Sequence, residues 1–130
     1  MAETAAKHIT IMDLDTLREY CLAKPATEET LPFGPDALVF KVAGKMFLLI
    51  ALDEQPLQFN AKCDPELAIE LRERYPCVQP GYHMNKKHWN TITIDGSVSS
   101  AILKQWIDHS YDLVVKSLPA KVREELQGKR

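Results

Sequence analysis

Ala37-Leu38-Val39-Phe40-Lys41-Val42-Ala43-Gly44-Lys45-Met46-Phe47-Leu48-Leu49-Ile50-Ala51-Leu52 is the stretch on which the fold turns. Ala37 to Val42 reads as a strand, with Phe40 and Val42 on one side. Ala43-Gly44-Lys45 is a tight turn, and Met46 to Leu52 is apolar enough for a second, central strand. The pair makes a hairpin. Asp53-Glu54-Gln55-Pro56 then turns the chain, and Leu57 to Ala61 supplies a third strand.

Upstream, Asp13 caps a helix through about Ala23, with Leu14, Leu17 and Cys21 on one face. Lys24-Pro25 ends it, because proline cannot continue the hydrogen-bond ladder. Glu28 to Asp36 reads as turns rather than as an element. Downstream, Asp64-Pro65-Glu66 joins a capping carboxylate, a proline at the first helical position and an acid in the first turn. This predicts a helix to about Tyr75, with Leu67 and Leu71 on its apolar face. Cys77 to Met84 reads as extended or irregular, and His88 to Ile94 as a strand in which Ile92 and Ile94 alternate with Thr91 and Thr93. Ser97 or Ser99 caps the longest helix, which runs to about Ser117. Leu103, Ile107, Ser110, Val114 and Leu118 form its stripe, and Tyr111 falls beside it, half exposed. A short helix from Val122 to Leu126 closes the chain.

The predicted order is helix, three strands, helix, one or two strands, long helix. Hairpin-linked strands with helices between the groups give an α+β fold: a two-layer sandwich of an antiparallel sheet with helices packed against it. The sequence of 130 residues fits a single domain over residues 11–130, preceded by a mobile leader over residues 1–10 that lacks the apolar stretch of a signal peptide. At 45% hydrophobic and 26% charged residues the composition is that of an ordinary globular protein. A net charge of −2 argues against a uniformly basic nucleic-acid coat but allows one local basic patch. No apolar run is long enough to span a bilayer, so no membrane association is expected. Cys21, Cys63 and Cys77 are odd in number and form no CxxC pair, which favours buried thiols in a reducing cytoplasm.

One window is chemically distinct. Gly81-Tyr82-His83-Met84-Asn85-Lys86-Lys87-His88-Trp89-Asn90-Thr91 lies inside a stretch from Pro76 to Ile94 with no carboxylate. Lys86 and Lys87 can neutralise phosphates, Asn85 and Asn90 can hydrogen-bond phosphates or base edges, and Tyr82 and Trp89 offer stacking faces beside His83 and His88. Neighbouring strand side chains point to opposite faces, so the whole set cannot meet one ligand. The plainer alternative is a solvated loop pinned by one buried tryptophan. Lys41 and Lys45 flank the first hairpin and, with Lys62, would add a second basic prong. Polar tips are normal for hairpins, which is the plain reading there.

His83 and His88 are five residues apart, matching neither a helical face nor strand alternation, so no metal site is expected. Asp108, His109 and Ser110 fan apart around a helix, so they do not form a catalytic set, and His109 reads as a packed histidine. No phosphate loop, zinc-protease motif or nucleophile elbow is present, and no cofactor is expected. Glu28-Glu29 and Asp53-Glu54 read as solvated turn charges.

The run from Pro80 to Thr91, followed by Asp95-Gly96, resembles the signature of the MmcQ/YjbR family. The likeness extends to Pro32-Phe33-Gly34, Phe40-Lys41-Val42, Gly44-Lys45-Met46-Phe47, Ile107-Asp108-His109-Ser110-Tyr111-Asp112-Leu113-Val114 and Leu118-Pro119. The resemblance implies a small bacterial α+β domain, similar in architecture to type III secretion chaperones, and a DNA-binding role through a double-wing motif. It carries over no catalytic or metal residue. Three classes follow, in this order: a DNA-binding protein docking phosphates through basic loops, a protein- or peptide-binding adaptor using a free sheet edge, and a small-ligand binder or enzyme around His83, His88 and Tyr82.

Overall fold

The computed structural model describes residues 11–81 and 84–128. Tyr82, His83 and the leader of residues 1–10 lie outside the described residues. The elements are α1 (Leu14–Leu22), β1 (Thr27–Thr30), β2 (Ala37–Val42), β3 (Lys45–Ala51), β4 (Gln58–Lys62), α2 (Pro65–Arg74), β5 (Val78–Pro80), β6 (Trp89–Thr93), α3 (Ser100–Ser117) and α4 (Ala120–Gly128). The strands form one antiparallel sheet in the order β1-β2-β3-β4-β6-β5. The fold is α+β, with helices on one face of the sheet, as the hairpin pattern predicts.

The β2–β3 turn shows why two residues suffice. Ala43 and Gly44 both have positive φ, 50° and 78°. That is the requirement of the two-residue turn whose twist matches a hairpin. Further along, the register shifts: Phe40 lies opposite Leu48 and Lys41 opposite Met46, which leaves Phe47 unopposed. This bulge lets Phe47 and Leu48, adjacent in sequence, both be fully buried, while Met46 stays on the other face.

Helix ends follow the caps read from sequence. The Asp13 carboxylate accepts from the Thr16 N–H at 2.8 Å, and Asp64 accepts from the Glu66 and Leu67 N–H groups at 3.2 Å. Of the two candidate serines, Ser99 caps α3, accepting from the Ile102 N–H at 3.2 Å.

Two expectations are corrected. The Glu28–Asp36 region contributes an edge strand, β1, whose Glu29 receives the Arg18 guanidinium from α1, so Glu29 is paired and not a solvated turn charge. Tyr111 is buried, not half exposed: it stacks edge-on against Phe47 at 5.4 Å, and its hydroxyl donates to the Pro25 carbonyl at 2.6 Å.

The Asp108-His109-Ser110-Tyr111 run bolts α3 to three neighbours. Asp108 accepts from the Tyr20 hydroxyl at 2.6 Å and from Lys24 at 2.5 Å, tying α3 to α1. Ser110 is fully buried and donates to the Lys62 carbonyl at 2.5 Å, so its small side chain brings α3 against β4. His109 Nε2 accepts from the Asp64 N–H at 3.1 Å, at the start of α2. All three therefore hold structure together, in keeping with the expectation of a packed histidine.

That acceptor role requires neutral Nε2, and burial pushes the His109 pKa below its ordinary 6.5 despite the nearby Asp64 and Asp112 carboxylates. The unfolded chain then takes up the proton first as pH falls. The stabilisation is complete above about pH 6.5 and is lost as pH drops towards the lower folded-state value. His109→Gln keeps an acceptor without titrating. Its urea midpoint should fall less than that of the parent between about pH 7 and pH 5. Parallel pH curves for the two proteins would exclude His109 as the cause.

Candidate functional site

The sheet has a helix side and a helix-free side. Directly opposed residues in antiparallel strands share a face. Phe40, Ile50, Phe59 and Ile92 lie in the core under the helices. Lys41, Met46 and Leu49 on β2 and β3, Asn60 on β4, and Trp89 and Thr91 on β6 fall in the opposite phase. A groove of about 740 Å³ runs over this second side, between the Phe33-Pro35 loop and the Met84-Asn85 loop, with no helical residue in its lining. Phe33 stands 68% exposed at its rim.

Charge is segregated along the strands. The C-terminal ends of β2 and β4 and the N-terminal ends of β3 and β6 meet at one end of the sheet. Lys41, Lys45 and Lys62 lie there. The loop carrying Lys86 and Lys87 joins them, anchored because the Cys63 N–H donates to the His88 carbonyl at 2.7 Å. Asp36, Asp53 and Glu54 lie at the opposite end, where β2 begins and β3 finishes. Glu28 on edge strand β1, directly across from Lys41, and Asp64, two residues past Lys62 at the start of α2, are carboxylates that depart from this division.

The loop is a built turn. The Met84 N–H donates to the Gly81 carbonyl at 2.9 Å, the His88 N–H to the Asn85 carbonyl at 3.1 Å, and the Lys87 N–H to the Asn85 side-chain oxygen at 2.9 Å. Asn85, Lys86 and Lys87 are exposed and His88 half-buried. The Gly81 N–H donates to the Trp89 carbonyl at 2.9 Å, and a Cβ on Gly81 would stand 2.9 Å from the Trp89 Cβ. That contact explains glycine at the base of the loop.

Asn90 departs from the sequence reading. It is 1% exposed and points to the helix side, donating to the Ala68 carbonyl at 3.4 Å and accepting from Arg72 Nε at 2.6 Å. Its amide is spent inside the fold, so Asn90 leaves the set of ligand contacts. Trp89 is buried, but on the groove side rather than in the core under the helices. The residue that sequence reasoning missed is Arg72. Its guanidinium reaches from α2 to Asn90, to the Trp89 carbonyl at 3.3 Å and to the Lys86 carbonyl, and so clasps the lysine loop. A last-turn arginine reads only as helix-end chemistry in sequence, so no local signal marks this reach.

The other reactive groups are quiet. All three cysteines are buried without disulfides, and burial pushes the Cys21 thiol up to about 12 and the Cys63 thiol up to about 11. Among the described residues there is no group of three His, Cys, Asp or Glu side chains placed to hold a metal ion. No described helix is long and apolar enough to cross a membrane.

Comparison with known proteins places this arrangement in a family. The family model described as YjbR matches residues 22–113, from the end of α1 through most of α3. The chain belongs to the YjbR family. It is 35% identical over 113 residues to "Uncharacterized protein YbdF" of Escherichia coli O157:H7, covering 87% of this chain and 93% of that one. It is 34% identical over 115 residues to "Uncharacterized protein YjbR" of Escherichia coli strain K12, covering 88% and 98%. Among solved structures, the Deinococcus radiodurans protein DR2400, with a DUF419 domain, superposes with a TM-score of 0.84 at 40% identity, covering 90% of this chain and 89% of that one. The YjbR-family match spans the hairpin, the lysine loop and the Asp108–Tyr111 run alike.

Proposed function

We propose that the protein binds DNA through the lysine end of its sheet. The observation that supports this most is the gathering of Lys41, Lys45, Lys62, Lys86 and Lys87 at one end, with Asp36, Asp53 and Glu54 at the other. On a chain of net charge −2, such a division creates the local cationic surface that a polyanion needs. The β2–β3 turn and the loop before β6 form two basic prongs at this end, which is how a double-wing contact would be made. Lys86 and Lys87 meet phosphates, and the exposed Asn85 beside them orients on the backbone. A strand laid along the full groove would run onto the carboxylates, so the duplex crosses the end of the sheet. Such a ligand also fits a cytoplasmic location.

A peptide adaptor built on strand addition finds less support. The edges offer four residues of β1, Thr-Glu-Glu-Thr, and three of β5 that end in Pro80.

The test is a fluorescent duplex titrated at several salt concentrations. Lys86→Glu/Lys87→Glu should weaken binding strongly. Neutral Lys86→Gln/Lys87→Gln should flatten the slope of log affinity against log salt by about 1.8, that is, about 0.9 for each phosphate contact removed. Absence of binding at low salt, or charge-reversed protein that binds as the parent does, overturns the reading.

A further inference from the structure

The lysines account for one end of the helix-free face and leave the groove itself without a ligand. Its lining contains no lysine or arginine, yet includes the three carboxylates of Asp36, Asp53 and Glu54. The salt bridges formed among the described residues are Arg18–Glu29 and Lys24–Asp108, so neither involves these carboxylates. The groove's volume of about 740 Å³ is within the range of small-molecule sites, roughly 300–1,000 Å³. Met46, Leu49, Met84 and Trp89 give it apolar and aromatic walls, and methionines adapt to irregular shapes.

Asn60 supplies an independent observation. It lies mid-groove on β4 and is only 7% exposed. Its side-chain oxygen accepts from the Thr91 hydroxyl at 2.6 Å, while its amide nitrogen has no hydrogen-bond partner among the described residues. The amide nitrogen is not a buried orphan but a solvent-reached donor on the groove floor, free to give its hydrogen bond to a ligand acceptor in place of water.

We propose that this groove binds a small organic cation with an aromatic or apolar body and a carbonyl-type acceptor. The cationic group sits among Asp36, Asp53 and Glu54, the acceptor takes the Asn60 amide N–H, and the body lies against Trp89, Leu49 and the two methionines. The site adjoins the lysine end through the Met84-Asn85 loop, but its carboxylates lie at the opposite end and it does not depend on DNA binding. Charge is its main selector: an anion of the same shape would meet three carboxylates and no cation in the lining.

Three matched probes test it: Nα-benzoyl-arginine amide, the isosteric neutral Nα-benzoyl-citrulline amide, and the anionic Nα-benzoyl-glutamate amide. Each is titrated into the full chain, followed by the Trp89 indole and Asn60 side-chain NMR resonances. The arginine probe should move both and bind at least about tenfold more tightly than the citrulline probe, a charge-pair difference of about 1.4 kcal/mol. The glutamate probe should leave both in place. Asp53→Asn/Glu54→Gln should abolish the preference for the arginine probe, and Asn60→Leu should weaken both the arginine and citrulline probes while leaving the charge preference intact. Asp53 and Glu54 are exposed turn residues, so their neutral variants retain the fold. Equal binding of all three probes, or no response to the arginine probe at millimolar concentration, overturns the proposal. So does sedimentation showing a dimer that dissociates on Phe33→Glu while the groove ignores the probes, which would place a second copy there.

Discussion

Replacing Phe47 by alanine should lower the stability of the fold by about 3–5 kcal/mol. Phe47 is completely buried, and its ring lies 5.4 Å from Tyr111 at 88° and 6.5 Å from Phe40. It is also the unopposed residue of the β2–β3 bulge, so its ring fills space that no cross-strand partner can claim. Removing it opens a cavity between sheet and α3 and withdraws the edge-on contact that seats Tyr111, whose hydroxyl holds the chain at Pro25. Phe47→Leu keeps most of the volume and should cost less than about 1.5 kcal/mol. Urea unfolding of the three proteins, followed by circular dichroism and tryptophan fluorescence together, gives both numbers. A loss below about 1 kcal/mol for alanine would mean that the bulge does not fix the sheet–helix contact.

Arg72→Met should cost about 1.5–3 kcal/mol and, more tellingly, release the lysine loop. The methionine keeps much of the length of the side chain but cannot donate. The buried Asn90 oxygen loses its partner, the Lys86 carbonyl loses the Arg72 bond, and the Trp89 carbonyl keeps only the Gly81 N–H. Hydrogen exchange should accelerate at the Met84 and His88 amides, whose bonds close the turn, and stay slow in β3 and β4. On the proposed DNA-binding reading, affinity should fall with the salt slope nearly unchanged, because Lys86 and Lys87 remain but their loop is no longer held in place. Unaltered exchange at those two amides would exclude the clasp.

The parts of the fold that were legible in the sequence are those whose local chemistry and tertiary position agree. The hairpin carries an apolar run on either side of a glycine turn, α2 opens with Asp64-Pro65-Glu66, and α3 has a stripe with Ser99 before it. What escaped notice depends on partners elsewhere in the chain. Thr27-Glu28-Glu29-Thr30 has no apolar alternation, and its strand is held by pairing with β2 and by Arg18 from α1. β5 is three residues ending in proline, which fits only an edge.

In the candidate site, the two lysines sit where a loop reading puts them, but Asn90 does not. Ile92 and Ile94 set the inward phase of β6, and Asn90 shares it, two residues before Ile92. That period-two signal was present, but the size of Trp89 made it the natural candidate for the core. The helix-free face gives tryptophan enough shelter without that, under the Met84-Asn85 loop. The reach of Arg72 could not be read at all, since α2 and the loop approach each other only once the sheet has formed.

The separation of lysines from carboxylates along the strands has a kinetic consequence. It gives the helix-free face of a slightly anionic molecule a basic pole and an acidic pole. At long range a polyanion is repelled by the net charge; within about one Debye length, ~8 Å at physiological salt, it exerts a torque that swings the basic pole towards it. On the proposed DNA-binding reading, encounters are oriented before contact, and added salt should slow arrival more than it hastens departure.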